Sequence, residues 1–278
     1  MKHIIKLTLK EVVNKRIIHL GITLTLIYIL VYGTGLYYTA KDMVFEGENF
    51  LWGQQIGYQF LTLGWYVSTL MVGSIAIVTG AGSISQEIEN GTILGLASSP
   101  IRRRDIMLGK FFAYSIVTSL YSILIIAAIM ALDVYFFNLM LDPQAAVAGL
   151  IIFALLPVTL LGLTILFSSV MSTMTAGISS FMFFLVTVIG GFIEQVGALM
   201  GNASMVNVGI IASLLLPTDA VYRLALAQAT GTMGHKSILD LGPFGNASSP
   251  STLMLIYTMV YIAALLIAAI YYFDRRDL

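Results

Sequence analysis

Two carboxylates one residue apart, Glu87 and Glu89, precede a cluster of Arg102, Arg103 and Arg104 and then a Gly109-Lys110 pair. Groups of this kind serve phosphate binding or charge-guided docking of a partner. A phosphate loop needs Gly-x4-Gly-Lys-Ser/Thr, because its amides cradle the phosphates and its hydroxyl holds magnesium. Arg104 stands where the first glycine belongs and Phe111 where the hydroxyl belongs, so ATP is not expected to bind here. Cysteine is absent, which removes disulfides, thiolate ligands and cysteine nucleophiles. His3, His19 and His235 are too dispersed for a recognisable metal set. The methionines, Met130, Met171 and Met182 among them, are scattered as in ordinary apolar packing. No catalytic group and no metal site is expected in this chain.

The remaining chemistry concerns charge in an apolar setting. Of 278 residues, 58% are hydrophobic and 10% charged, with mean hydropathy +0.93 and a formal net charge of zero. A soluble domain carries about 25% charged residues, so this chain reads as a membrane protein. Zero net charge also excludes a global basic footprint for nucleic acid. Ionisable groups inside membrane spans are expensive and are functional candidates by default. Glu194, after Gly190-Gly191-Phe192-Ile193, is the main one. It either faces a pathway, binding a cation or a proton, or sits in the headgroups beyond an early helix end. Asp133 has the same ambiguity at the end of the third span.

The elements that position these groups are apolar runs of about 20 residues, the length that crosses a bilayer core as a helix. Backbone groups unpaired in hydrocarbon cost several kcal/mol, and continuous apolar runs do not suit a barrel, so the fold class is all-α. Six spans are predicted at about 17–38, 59–81, 108–132, 146–170, 177–198 and 252–273. With that topology, eleven of the fourteen Lys and Arg residues fall on one face; Lys41, Arg223 and Lys236 do not. Short basic loops stay in the cytosol, so both termini are expected there, in a multi-pass protein of the cell (inner or plasma) membrane. No cleavable signal peptide is expected. One transmembrane domain, 1–278, accounts for the whole chain.

Three further segments carry structure of their own. Residues 1–16 place Lys2, Lys6 and Lys10 on one helical face and Ile5, Leu9, Val12 and Val13 on another. That pattern suits either an in-plane amphipathic helix on an anionic leaflet or the charged flank of the first span. Residues 199–250 contain an apolar run, Val206 to Leu216, too short to cross a bilayer and ended by Pro217. Thr218 and Asp219 then suit a cap for a second short helix, with Val221, Leu224 and Ala225 as its apolar stripe beside Arg223 and Gln228. The readings are two re-entrant outer helices or a folded external loop. Pro157 predicts a kink in the fourth span; Gly197-x3-Gly201 and Gly73 predict close helix approaches.

The cytosolic loop, about 82–107, gathers the opening residues. Gly91 suits a helix end, Thr92 the cap of a new helix, and Ile93, Leu94 and Leu96 an exposed apolar patch before Pro100. Arg102 to Arg104, like Arg275 and Arg276 at the other end, suit headgroup anchors. Spacing alone allows a partner-docking helix or a loop that only sets topology.

The order Glu87-Ile88-Glu89-Asn90-Gly91-Thr92, Ser99-Pro100-Ile101-Arg102-Arg103 and Leu108-Gly109-Lys110-Phe111, with the ending Phe273-Asp274-Arg275-Arg276-Asp277-Leu278, resembles type-2 ABC-transporter permeases. The resemblance implies an exporter's transmembrane subunit, partnered by a second permease copy (homo- or heterodimer) and two ABC ATPase subunits that hold ATP and magnesium. It also implies a coupling role for Glu87, Glu89, Gly91, Thr92, Ile93 and Leu94, a neighbouring place for Lys10, Glu11 and Arg16, and a dimer seam near Gly197. Membrane lipid is the other partner; the substrate is not written in these residues. A self-sufficient secondary transporter or channel, or a non-transporting scaffold, is the alternative.

Overall fold

The computed structural model describes residues 2–13, 16–46, 50–91, 103–231 and 250–275. The described residues form helices joined by short turns, with no strand among them. In chain order they are α1 (Lys2–Val13), α2 (Arg16–Glu46), α3 (Phe50–Ala81), α4 (Ser85–Glu89), α5 (Arg103–Phe137), α6 (Pro143–Phe153), α7 (Leu155–Val170), α8 (Thr173–Met200), α9 (Ala203–Leu215), α10 (Thr218–Thr230) and α11 (Leu253–Asp274). Among the described residues, six stretches are long and apolar enough to cross a membrane, from α2, α3 with α4, α5, α6 with α7, α8, and α11; α9 and α10 pass the same test only as a bent pair.

The first two spans depart most from the expected limits. α2 runs on to Glu46 and α3 begins at Phe50, so most of the expected outer loop at 39–58 is helical. Neither flank holds a proline, and a helix propagates past the hydrocarbon edge until the sequence stops it. The fourth span breaks at Ala154, three residues before Pro157. Proline has no N–H and its ring crowds the carbonyl four residues back, here Phe153, the last residue of α6. The helix is thus interrupted one turn before the proline, where a kink was expected, and both pieces still serve as one span.

α7 and the inner faces of α3, α5 and α8 make the core. Trp65 of α3 is fully buried and meets Phe153 edge-on at 5.5 Å. A Cβ at Gly73 would sit 2.5 Å from the Phe184 ring, so the glycine sets how closely α3 approaches α8. α2 lies at the edge, with Leu20, Ile27, Leu30 and Val31 exposed, as lipid-facing side chains are. α1 packs on α5 through Thr8 and Val12, with Ile5 and Leu9 half-buried and Lys6, Lys10 and Glu11 outward.

The segment before the last span is a bent hairpin. α8 ends in a Schellman turn: Gly201 is left-handed (φ +68°) and the Asn202 N–H donates to the Gly197 carbonyl at 2.8 Å. The Asn202 side chain then caps α9 through the N–H groups of Ser204 and Met205. α9 returns along α8, with Gly197 against Met205 and Val206, so the close approach predicted from Gly197-x3-Gly201 lies within one chain. At Leu216-Pro217 the chain turns by 104° into α10, because a residue before proline is driven to extended backbone.

Candidate functional site

The loop residues sit in a polar knot where three spans meet. α3 stops at Ala81, and α4 starts without a side-chain cap of its own. Ser168 of α7 supplies that service: its Oγ accepts from the N–H groups of Ile84 (3.2 Å) and Ser85 (3.0 Å) and donates to the Ala81 carbonyl (2.7 Å). Ser85 reaches the Thr173 hydroxyl at 2.8 Å. Lys110 of α5 is 3% exposed; its ammonium donates to the Ser83 carbonyl at 2.5 Å and pairs with Glu87. The Lys110 ammonium is thereby engaged by the Ser83 carbonyl and the Glu87 carboxylate together.

Glu89 reaches the fifth span. Its Oε1 accepts the Thr173 N–H at 2.9 Å and its Oε2 the Thr173 hydroxyl at 3.1 Å. Ser172, the N-cap of α8, makes no side-chain cap bond, so the carboxylate of Glu89 takes its place. A negative charge at a helix N-terminus satisfies an orphan amide and meets the positive end of the macrodipole. Gly91 ends α4 in the left-handed region (φ +68°), as its position predicts. Thr92, Ile93, Leu94, Arg102 and Arg276 lie outside the described residues. A cavity of about 670 Å³ opens beside this knot, between Ile77, Gln86, Glu89, Thr173 and Phe181.

The arginines expected at the headgroups have protein partners as well. Arg103 donates to the carbonyls of Phe273 (3.4 Å) and Asp274 (3.2 Å), and Arg104 lies 3.6 Å from the Asp274 carboxylate. They tie the start of α5 to the end of α11, where a cation favours the helix dipole. Arg275 stacks over the Tyr271 ring at 4.2 Å.

A family model for ABC-2 family transporter proteins matches residues 4–278. The chain belongs to the ABC-2 transporter family. No curated protein matches it.

In this ABC-2 family membrane protein the second charged centre lies in the bent hairpin. Glu194 is 3% exposed and receives Arg223 in a two-pronged pair, Nη1 to Oε1 at 2.6 Å and Nη2 to Oε2 at 2.8 Å. The Arg223 Nε lies 2.8 Å from Asp219, and its Nη2 reaches the Ser213 hydroxyl at 3.4 Å. Glu194, for which the sequence allowed a pathway or a headgroup position, is thus paired within the protein by a residue 29 positions on. It forms one wall of a cavity of about 290 Å³ with Ser213, Pro250 and Met254. Asp219 does not cap α10; it pairs one turn on, at i+4. Arg223, expected beside an apolar stripe, is among the largest fully buried side chains because α10 is enclosed nearly all round.

Glycines make room for this centre. A Cβ at Gly209 would strike the Cβ of Glu194, one at Gly191 the Asp219 carboxyl, and one at Gly190 the Cβ of Ala212. Asp133 is also buried and accepts from the Tyr32 hydroxyl at 2.9 Å, linking α5 to α2. Sequence reasoning missed Ser168 and Thr173, and named Lys110 without its pairing to Glu87. The available signals were a lysine following the arginine cluster and a Ser168-Ser169 pair closing an apolar span.

Proposed function

We propose that this chain is the permease subunit of an ATP-driven exporter, coupled through the loop at 82–107 to separate ATPase subunits. Membership of the ABC-2 family supports an ATPase partner in general. The observation that carries the coupling reading is the placement of two loop carboxylates on two different spans, Glu87 on Lys110 of α5 and Glu89 on Thr173 of α8. A push on the segment that follows, with Thr92, Ile93 and Leu94 seated in an ATPase cleft, is delivered to the starts of both spans. The two copies, or one copy and a related permease, enclose the pathway. The hairpin of α9 and α10, locked by Glu194 and Arg223, closes its outer mouth, and Gly197 serves the hairpin before any dimer seam. Both termini lie in the cytosol of a cell-membrane exporter, and ATP and magnesium stay on the partner subunits.

Copurification and ATP-dependent flux in vesicles test this reading. Ile93→Asp lowers recovery of the ATPase while the permease melts as the native chain does. Replacing Glu87 and Glu89 together with Lys weakens association or uncouples hydrolysis from transport. Full flux from the chain reconstituted alone would favour a self-sufficient transporter, and unchanged association and transport in both variants would remove the loop assignment.

A further inference from the structure

Away from both charged centres, α2, α3 and α5 leave a concave slot of about 400 Å³, running along α2 from Ile18 to Ile29. The eleven helical steps from Ile18 to Ile29 rise about 16 Å, which is close to one leaflet of a hydrocarbon core about 30 Å thick. The three threonines on its walls present methyls. Thr25 donates to the Gly21 carbonyl (2.8 Å), Thr79 to that of Ile75 (2.5 Å) and Thr118 to that of Tyr114 (2.9 Å). The Tyr121 hydroxyl is taken by Thr25 at 2.5 Å. Ile22, Leu26, Leu120 and Leu124 on the walls are exposed. Hydrocarbon is the surface offered, so a polar ligand gains nothing along it.

One end is different. His19 lines the slot where α2 begins, and Arg16 stands one turn earlier, exposed and on the same side at i−3. A cation and a ring N–H at the membrane boundary, above a hydrocarbon slot one leaflet long, match an acidic headgroup over an acyl chain.

We infer that the slot between α2, α3 and α5 binds one acyl chain of an anionic phospholipid, with the headgroup held at Arg16 and His19. The site does not depend on an ATPase partner or on export.

Native mass spectrometry of the purified full-length protein, with phosphatidylglycerol or phosphatidylcholine added to the detergent, tests the assignment. The native chain retains phosphatidylglycerol at least fivefold better than phosphatidylcholine and melts higher when it is added. Arg16→Gln with His19→Gln abolishes that preference. Ile22→Trp, or Leu120→Trp on the facing wall should the first fail to fold, fills the slot and removes the retained lipid whatever its headgroup. Equal retention of both lipids by the native chain would overturn the headgroup assignment. Undiminished retention in the folded tryptophan variants, or a change of oligomer mass in them with lipid retention intact, would overturn the slot itself.

Discussion

The carboxylate of Glu89 takes the backbone N–H of Thr173 at 2.9 Å, so a residue of the loop after the second span caps the first turn of the fifth. Eighty-four residues separate the two. Movement of the loop is therefore movement of the start of α8, unless the cap breaks.

Removing that cap has a measurable signature. Glu89→Ala raises amide hydrogen exchange over Thr173–Ala176 and costs about 1 kcal/mol, the usual value of an N-cap acceptor. Glu89→Gln retains an acceptor and loses less. Exchange unchanged in the alanine variant would show that another group caps α8.

Lys110 and Glu87 form a pair in which neither partner is well exposed. Glu87→Ala leaves a buried ammonium short of its counter-charge, and breaking such pairs costs about 3 kcal/mol or more. Replacing both, as Glu87→Gln with Lys110→Met, recovers much of the loss. Melting temperatures of the two singles and the double form the cycle that decides it.

In the bent hairpin, Arg223→Leu strands two carboxylates, whereas Glu194→Gln leaves Arg223 with Asp219. The first variant is expected to lose about 3–5 kcal/mol and the second distinctly less. Thermal unfolding in detergent ranks them. Equal losses would mean that Asp219 contributes little to holding the guanidinium.

Gly209→Ala tests the space around the same pair. Its new methyl meets the Cβ of Glu194 on backbone that is already packed, and overpacking of this kind costs about 1–3 kcal/mol. Gly91→Ala instead meets open space and strains only the left-handed backbone, at about 1–2 kcal/mol. A methyl tolerated at Gly209 without loss of melting temperature would argue that α8 and α9 separate readily.

Tyr32→Phe removes the donor to Asp133 and costs about 1–3 kcal/mol, the penalty for a buried polar group left without its partner. Adding Asp133→Asn to it is expected to lessen the deficit, because an uncharged amide is cheaper to bury than a carboxylate. Melting of the single and double variants measures both effects.

Much of this architecture is legible in the order of residues. Apolar runs near 20 residues demand helices in a bilayer, since hydrocarbon offers the backbone no other partner. Pro157 and Pro217 mark the break of the fourth span and the bend of the hairpin, because proline acts on its own and the preceding backbone whatever surrounds it. Gly91 marks a helix end for the same local reason. The membership of the ABC-2 family was also within reach of the loop motifs and the ending taken together.

Partners are a different matter. Nothing local tells Glu89 that Thr173 will stand before it, or Glu194 that Arg223 will. Those pairs span 84 and 29 residues; the first exists only once the start of α8 stands beside α4, the second only once α10 has folded back on α8. Periodicity assigned Arg223 to a polar face because it counts residues on a single helix, while burial depends on how many neighbours surround that helix. Sequence alone determined the number of spans, the proline breaks and the glycine end of α4. Tertiary structure decided which charges meet, because in a low-dielectric interior an unpaired charge is costly and only the packing of distant helices can supply its partner.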